Sequence, residues 1–168
     1  MKYRILLILA VSILCTDTAA AQFGHVIAPN GNTDPGGLIA TFEQKYDWIR
    51  QGGAPVTIDG RCASACTIVT RLPREQICIS RNAELVFHAA WIPGSRGEQV
   101  TDPDATWDLY AKYPKEVRAW IRKHGGLTRR LIVMNNKTLS RLYPYCDSTT
   151  VQARPTFIMW RADGENRP

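Results

Sequence analysis

Pro55-Val56-Thr57-Ile58-Asp59-Gly60-Arg61-Cys62-Ala63-Ser64-Ala65-Cys66-Thr67-Ile68-Val69-Thr70-Arg71 carries the clearest signature of the chain's architecture. Its first five residues alternate and are rich in β-branched side chains, the pattern of a strand, and Gly60 closes it. Residues 63–71 read as a short helix ended by Pro73. A strand that passes through a glycine turn into a helix is half of a crossover unit. The flanks supply the other halves. Upstream, Leu38, Ile39, Phe42, Tyr46 and Ile49 fall at helical spacing before Gly52-Gly53, and residues 26–28 offer a short strand. Downstream, residues 76–80 and 84–88 are two further strands, with Arg81-Asn82 as the turn. Strand, helix, strand, helix, strand predicts an α/β fold on a mainly parallel sheet.

The second half reads as mostly helical. Residues 92–103 hold Pro, Gly, Ser and charges and are expected to form a mobile loop. Helices are predicted over 104–113 and 114–124, the second with Val117, Trp120 and Ile121 on one face and Gly125-Gly126 at its end. Thr128 is expected to cap another helix towards Met134, and Thr138 a short one through Leu142. An edge strand over 151–158, interrupted by Pro155, and a flexible tail over 162–168 complete the reading.

The chain has 168 residues, enough for one domain with an ordinary core, and 45% hydrophobic with 21% charged residues excludes a disordered polymer. Residues 1–21 stand apart. Lys2 and Arg4 precede an apolar run over 5–14, and Ala19-Ala20-Ala21 supplies small residues at a cleavage site. This is the layout of a secretory signal peptide, too short to span a bilayer comfortably. Leu14 before Cys15 stands where lipoprotein processing needs a small residue. The expectation is therefore export as a soluble periplasmic or secreted protein, a single domain over 22–161, with no integral membrane segment after leader removal.

Loss of the leader takes away Lys2, Arg4, Asp17 and Cys15. Four cysteines remain, Cys62, Cys66, Cys78 and Cys146. An even count in an oxidising compartment predicts two disulfides with three pairings to choose from. We expect Cys66–Cys78 and Cys62–Cys146. Zinc is disfavoured, because the three-residue gap from Cys62 to Cys66 is looser than a zinc knuckle and no second pair follows. No metal and no cofactor is expected. The net charge of the full chain is +6, densest at Arg118, Arg122, Lys123, Arg129 and Arg130. Such a helical face is ordinarily solvated surface; an anionic polymer or membrane surface is the sharper alternative. No nucleic-acid motif is present.

Three features bear on chemistry. Asp34-Pro35-Gly36-Gly37 is a turn leading into a helix, where backbone N–H groups can face a ligand. Ser64 lies where a strand passes into the next helix, at the edge where open α/β sheets bind ligands. His88 ends the third strand, at the same edge. A serine hydroxyl needs a base within reach to become a nucleophile, and histidine titrates in the right range. The plainer readings are a helix N-cap for Ser64 and a packed core histidine for His88.

Pro35-Gly36-Gly37, Gly60 with Ala63-Ser64-Ala65, and Phe87-His88 together resemble the ClpP peptidase branch of the ClpP/crotonase superfamily. The string from Cys62 to Thr67 is most similar to exported ClpP-like proteins. The resemblance runs from about Pro29 to Cys146, with separations of 27 residues from Gly37 to Ser64 and 24 from Ser64 to His88. It implies crossover βαβ units, Ser64 as nucleophile, His88 as base, and the N–H groups of Gly37 and Ala65 as oxyanion donors. It also implies a third residue that orients the histidine. The matching region, Met134-Asn135-Asn136-Lys137, has no carboxylate. Asn136, or Asn135, is the candidate, with Asp147 as an alternative acid. The substrate implied is a peptide or acyl bond; the alternative is a degenerate domain that binds extended peptides without turnover. Relative to ClpP the chain is truncated at the N-terminus, since only residues 22–32 precede the Pro-Gly-Gly turn. No ring assembly is implied, and the oligomeric state stays open.

Overall fold

Residues 24–146 are described by the computed structural model of the chain. The predicted leader, the tail, the edge strand over 151–158 and Asp147 lie outside the described residues.

The chain makes three passes, each delivering two short strands. The first pass is β1 (His25–Ile27) and β2 (Thr33–Asp34), the second β3 (Val56–Ile58) and β4 (Arg61–Ala63), the third β5 (Ile77–Ile79) and β6 (Glu84–Phe87). The first strands of the passes pair in parallel in the order β1-β3-β5. The second strands pair in parallel in the order β2-β4-β6. The fold is thus mixed α/β with parallel sheets, but the strands divide between two sheets where the sequence suggested one. The reason is local: Asp59-Gly60 does not end a strand but bends the chain from β3 into β4. A Cβ on Gly60 would overlap the Asn32 carbonyl oxygen and the backbone of Gly31 and Ala28, so this crossing of two chain segments admits only glycine.

Helices cover the returns. After the first pass comes α1 (Ile39–Gly52), which buries Tyr46 and Ile49 and ends at Gly53 in the left-handed region, φ 66°. After the second comes a 3-10 helix, Ser64–Arg71, where the sequence predicted a short helix; six of its residues, Ala65 to Thr70, are buried. Tyr46 Oη donates to the Cys66 carbonyl at 3.0 Å and so ties the two helices together. Burial pushes the Tyr46 hydroxyl well above its ordinary pKa, with the Asp34 charge adding to it. The core is built from both sheets and these helices, with Ile58, Ile68, Ile79, Leu85 and Phe87 fully buried. Each such side chain contributes about 1.5–3 kcal/mol of burial free energy.

Three segments of the second half depart from the expectation. Residues 91–101 form an antiparallel hairpin, β7 (Trp91–Pro93) with β8 (Gln99–Thr101), rather than a mobile loop. Two helices then follow close to their predicted places. The first is α2 (Pro103–Lys112), whose N-cap Asp102 accepts from Ala105 N–H at 2.9 Å. The second is α3 (Lys115–Lys123), which buries Val117 and Ile121. The predicted helix after Thr128 is instead β9 (Ile132–Met134), antiparallel to β6. Leu131-Ile132-Val133-Met134 is an apolar run whose periodicity suits either element, and the open edge of β6 decides it. Asn135 caps the short α4 (Asn136–Leu139), accepting from Thr138 N–H at 3.1 Å.

The cysteine pairing is corrected as well. The disulfides are Cys62–Cys66 and Cys78–Cys146, not Cys66–Cys78 and Cys62–Cys146. Cys62 belongs to one sheet and Cys78 to the other. Cys146 comes alongside β5, where its N–H donates to the Ile79 carbonyl at 3.0 Å. Two disulfides are consistent with an oxidising, exported setting. Among the described residues no helix is long and apolar enough to cross a membrane.

Candidate functional site

Strand register brings the three sequence features to one edge. Asp34 pairs with Cys62 across β2 and β4, and Ala63 pairs with Val86 across β4 and β6. Counting on by one or two residues, Gly36 and Phe87 flank Ser64, and His88 lies one position beyond. Neighbouring strands run about 4.8 Å apart, so Gly36, Ser64 and His88 leave the carboxyl ends of three adjacent parallel strands.

Ser64 turns sharply out of β4. Its φ of 55° lies in the left-handed region, where a non-glycine residue costs about 1–2 kcal/mol. Several contacts hold it there. Gly36, φ 80°, is pressed against the turn: a Cβ at that position would lie 2.5 Å from the Ala63 carbonyl oxygen and 2.8 Å from both Ala65 N and Ser64 Cβ. Thr67 Oγ1 donates to the Ser64 carbonyl at 2.6 Å and receives the Tyr113 hydroxyl at 2.7 Å. Both of these side chains are buried, and burial raises the Tyr113 pKa, against a smaller lowering by its bond to Thr67. The Cys62–Cys66 disulfide brackets the same turn from within, both sulfur-bearing residues being fully buried.

The amide groups around Ser64 divide into used and unused. Gly36 N–H is taken by Asp34 Oδ1 at 3.0 Å. The N–H groups of Gly37 and Ala65 have no acceptor among the described residues. Near Asp34, Lys45 lies over the rings of Phe42 and Tyr46, at 5.3 and 5.5 Å. Burial lowers the Lys45 pKa, and the Asp34 charge opposes that shift.

His88 is half-buried, and its Nδ1 lies 2.7 Å from the carbonyl oxygen of Ala89. A carbonyl only accepts, so Nδ1 is the donor, and in the neutral ring the lone pair sits on Nε2. No hydrogen bond joins His88 to Ser64 or to a carboxylate among the described residues. The Ala89 carbonyl, an uncharged group, is the hydrogen-bond partner that fixes the His88 ring. Thr128 accepts from Ala89 N–H at 2.8 Å and fixes this segment from the other side.

The structure does not bring Asn136 to His88. β9 runs antiparallel to β6, which puts Asn136 at the amino end of β6, the edge opposite His88. Its side chain is spent there, Nδ2 donating to the Ser80 carbonyl at 2.7 Å and Oδ1 accepting from Tyr145 Oη at 2.6 Å. Asn135 is spent on its helix cap. The structure thus brings Ser64, His88, Gly37 and Ala65 to one edge and surrounds the Ser64 turn and His88 with Gly36, Thr67, Tyr113 and the Ala89 carbonyl. Of these last four only Gly36 carried a signal in the sequence, as the first of a glycine pair in a turn. A cleft of about 190 Å³, lined by Thr70, Arg71, Tyr113 and Tyr143 among others, is not lined by Ser64 or His88.

Among the described residues, the four cysteine sulfurs lie in disulfides and so offer no thiolate to a metal. Comparison of the chain with protein-family models, with curated proteins and with solved structures finds no match.

Proposed function

We propose that this chain is an exported ClpP-like serine hydrolase acting on peptide or acyl bonds, with Ser64 as nucleophile and His88 as general base. The observation that carries the reading is the left-handed Ser64 at the exit of β4, one strand away from a histidine whose Nε2 lone pair is free. The strand–strand–helix passes, with their first and second members in separate parallel sheets, support the ClpP-like part of the reading.

The chemistry follows from the groups present. Ser64 Oγ attacks the carbonyl carbon as His88 Nε2 takes its proton. The oxygen that becomes negative accepts from the N–H groups of Gly37 and Ala65; loss of one such donor typically costs about 10²–10³ in rate. The imidazolium returns the proton to the leaving group, and water repeats the cycle to free the acid. The Ala89 carbonyl stabilises the imidazolium only through its dipole. In the serine-hydrolase template, exchanging the acid for its amide lowers turnover roughly 10⁴-fold, so slow turnover is expected here.

The direct test is release of p-nitrophenol from short acyl esters and of fluorophore from peptide amides by the oxidised mature protein. Turnover above the Ser64→Ala background supports the reading; equal rates refute it. The uncharged partner of His88 favours one second reading, a domain that holds extended peptides without cleaving them. That reading predicts peptide binding unaffected by Ser64→Ala with no product formed.

A further inference from the structure

Charge is segregated along the described chain. Residues 24–111 carry seven lysines and arginines against ten aspartates and glutamates; residues 112–146 carry nine against one, Glu116. Part of that excess gathers beside the candidate site. Helix α3 ends in Arg122 and Lys123, and after Gly125-Gly126 the chain turns back so that Arg130 reaches the His124 carbonyl at 3.5 Å. The same segment then runs along the exit of β6. Thr128 accepts from Ala89 N–H, and Ile132 pairs with Phe87, so Arg129 and Arg130 flank residues 87–89. Both arginines are exposed.

These cations are not spent on ion pairs. Among the described residues, the salt bridges use Arg50, Arg61, Arg71 and Lys112, and none uses Arg118, Arg122, Lys123, Arg129 or Arg130. A cluster of unpaired like charges costs self-repulsion unless a counter-charge binds. The chain leaving His88 runs straight into the β7–β8 hairpin, whose Trp91, Ile92 and Val100 are exposed. Residues 87–89 are thus bordered by cations on the segment leading into β9 and continue into apolar side chains.

We infer that this edge receives an acidic polypeptide segment, its carboxylates over Arg129, Arg130 and the end of α3, and its apolar residues on Trp91 and Ile92. The inference deepens the hydrolase reading by naming its substrate class, and rests on that reading only for what happens to the segment once bound. An anionic bilayer suits the patch less well. On the apolar face of α3, Val117 and Ile121 are fully buried and Trp120 is packed partly against the core, so the basic helix keeps little apolar surface to sink into lipid.

The test is fluorescence anisotropy with the oxidised mature Ser64→Ala protein, which cannot consume its ligand. The probes are a fluorescein-labelled peptide alternating Glu and Leu, the same peptide with Gln for Glu, and phosphatidylglycerol vesicles. The Glu peptide is expected to bind about tenfold or more tightly than the Gln peptide, and to lose most of that margin between low and high salt. Adding Arg129→Ala and Arg130→Ala is expected to remove most of the margin, with the melting temperature unchanged because both side chains are exposed. Lys137→Ala, at the opposite edge of β6, is expected to leave it intact. Equal affinity for the two peptides overturns the inference even if the double arginine variant fails to fold. Saturable binding to vesicles with none to the Glu peptide also overturns it. If the Glu peptide binds and the Ser64-competent protein releases no product, only the hydrolase reading falls. If product forms but the two peptides bind alike, only the acidic preference falls.

Discussion

Gly36→Ala is the substitution that loads the Ser64 turn most directly. Two costs add. Holding alanine at φ 80° costs about 1–2 kcal/mol. The new methyl would lie 2.5 Å from the Ala63 carbonyl oxygen and 2.8 Å from Ala65 N and Ser64 Cβ, all backbone or backbone-fixed atoms that cannot swing aside. Relieving such overlap by backbone shifts costs about 1–3 kcal/mol. The sum, roughly 2–5 kcal/mol, lowers Tm by about 5–15 °C for a domain of this size. The relief must move Ser64, so reactivity of its hydroxyl towards an acyl ester should fall further than stability does. Gly37→Ala is the matched control. The nearest atom to a Cβ there is Phe42 Cε2 at 3.7 Å, an ordinary contact, and Gly37 does not lie at positive φ. Its added methyl meets only that ordinary contact, so its Tm should stay close to that of the parent protein. Thermal melts by circular dichroism and initial rates on p-nitrophenyl acetate, run on all three proteins, read both quantities. If Gly36→Ala is as stable and as reactive as the parent, or if Gly37→Ala is equally damaging, the packing argument for the Ser64 turn is wrong.

Three further outcomes follow from the same geometry. Cys78 and Cys146 are 68 residues apart and Cys62 and Cys66 only four; by loop-closure entropy, removing the first bridge costs about 4 kcal/mol and the second about 2 kcal/mol. Urea melts of the two double-alanine variants should show that order, while ester reactivity is lost only in Cys62→Ala with Cys66→Ala. Burial raises the pKa of Tyr46, Tyr113 and Tyr143, the last to about 12, so these hydroxyls stay protonated in the folded protein where an unfolded chain ionises. The stability they share is complete below pH ~10 and is lost as pH rises towards their folded pKa values, by up to about 1.4 kcal/mol per unit for each, which phenolate absorbance against pH will follow. Asn136→Ala should cost about 1 kcal/mol, chiefly the bond to the part-buried Ser80 carbonyl since the exposed Tyr145 hydroxyl can turn to water, yet leave ester reactivity intact because it sits at the far edge from His88.

What the sequence made legible, and what it did not, follows from the range of each signal. Helix α1 was readable because Ile39, Phe42, Tyr46 and Ile49 repeat over three turns and Gly53 closes them. The strand exits that carry Ser64 and His88 were readable because glycine and β-branched residues punctuate residues 55–64 and 84–88. The division into two sheets was not, since strands of two to four residues are too short for alternation to show a bend between them. β9 was read as helix because its identity is set by the open edge of β6, a partner far away in sequence. The disulfide pairing was hidden for the same reason: only the separation of β4 and β5 into different sheets keeps Cys62 and Cys66 away from Cys78. A partner for His88 is sought in sequence among side chains, whereas its Nδ1 lies against the Ala89 backbone carbonyl, a group every sequence contains and none advertises.

Labelling of the folded, oxidised mature protein by a fluorophosphonate, mapped by peptide mass spectrometry, tests most directly whether Ser64 is an activated hydroxyl. A single stoichiometric adduct on Ser64 is expected, absent when the protein is unfolded in urea before labelling and formed much more slowly in His88→Ala. An unlabelled Ser64 in protein shown to be folded, or labelling as fast without the His88 ring, would contradict it.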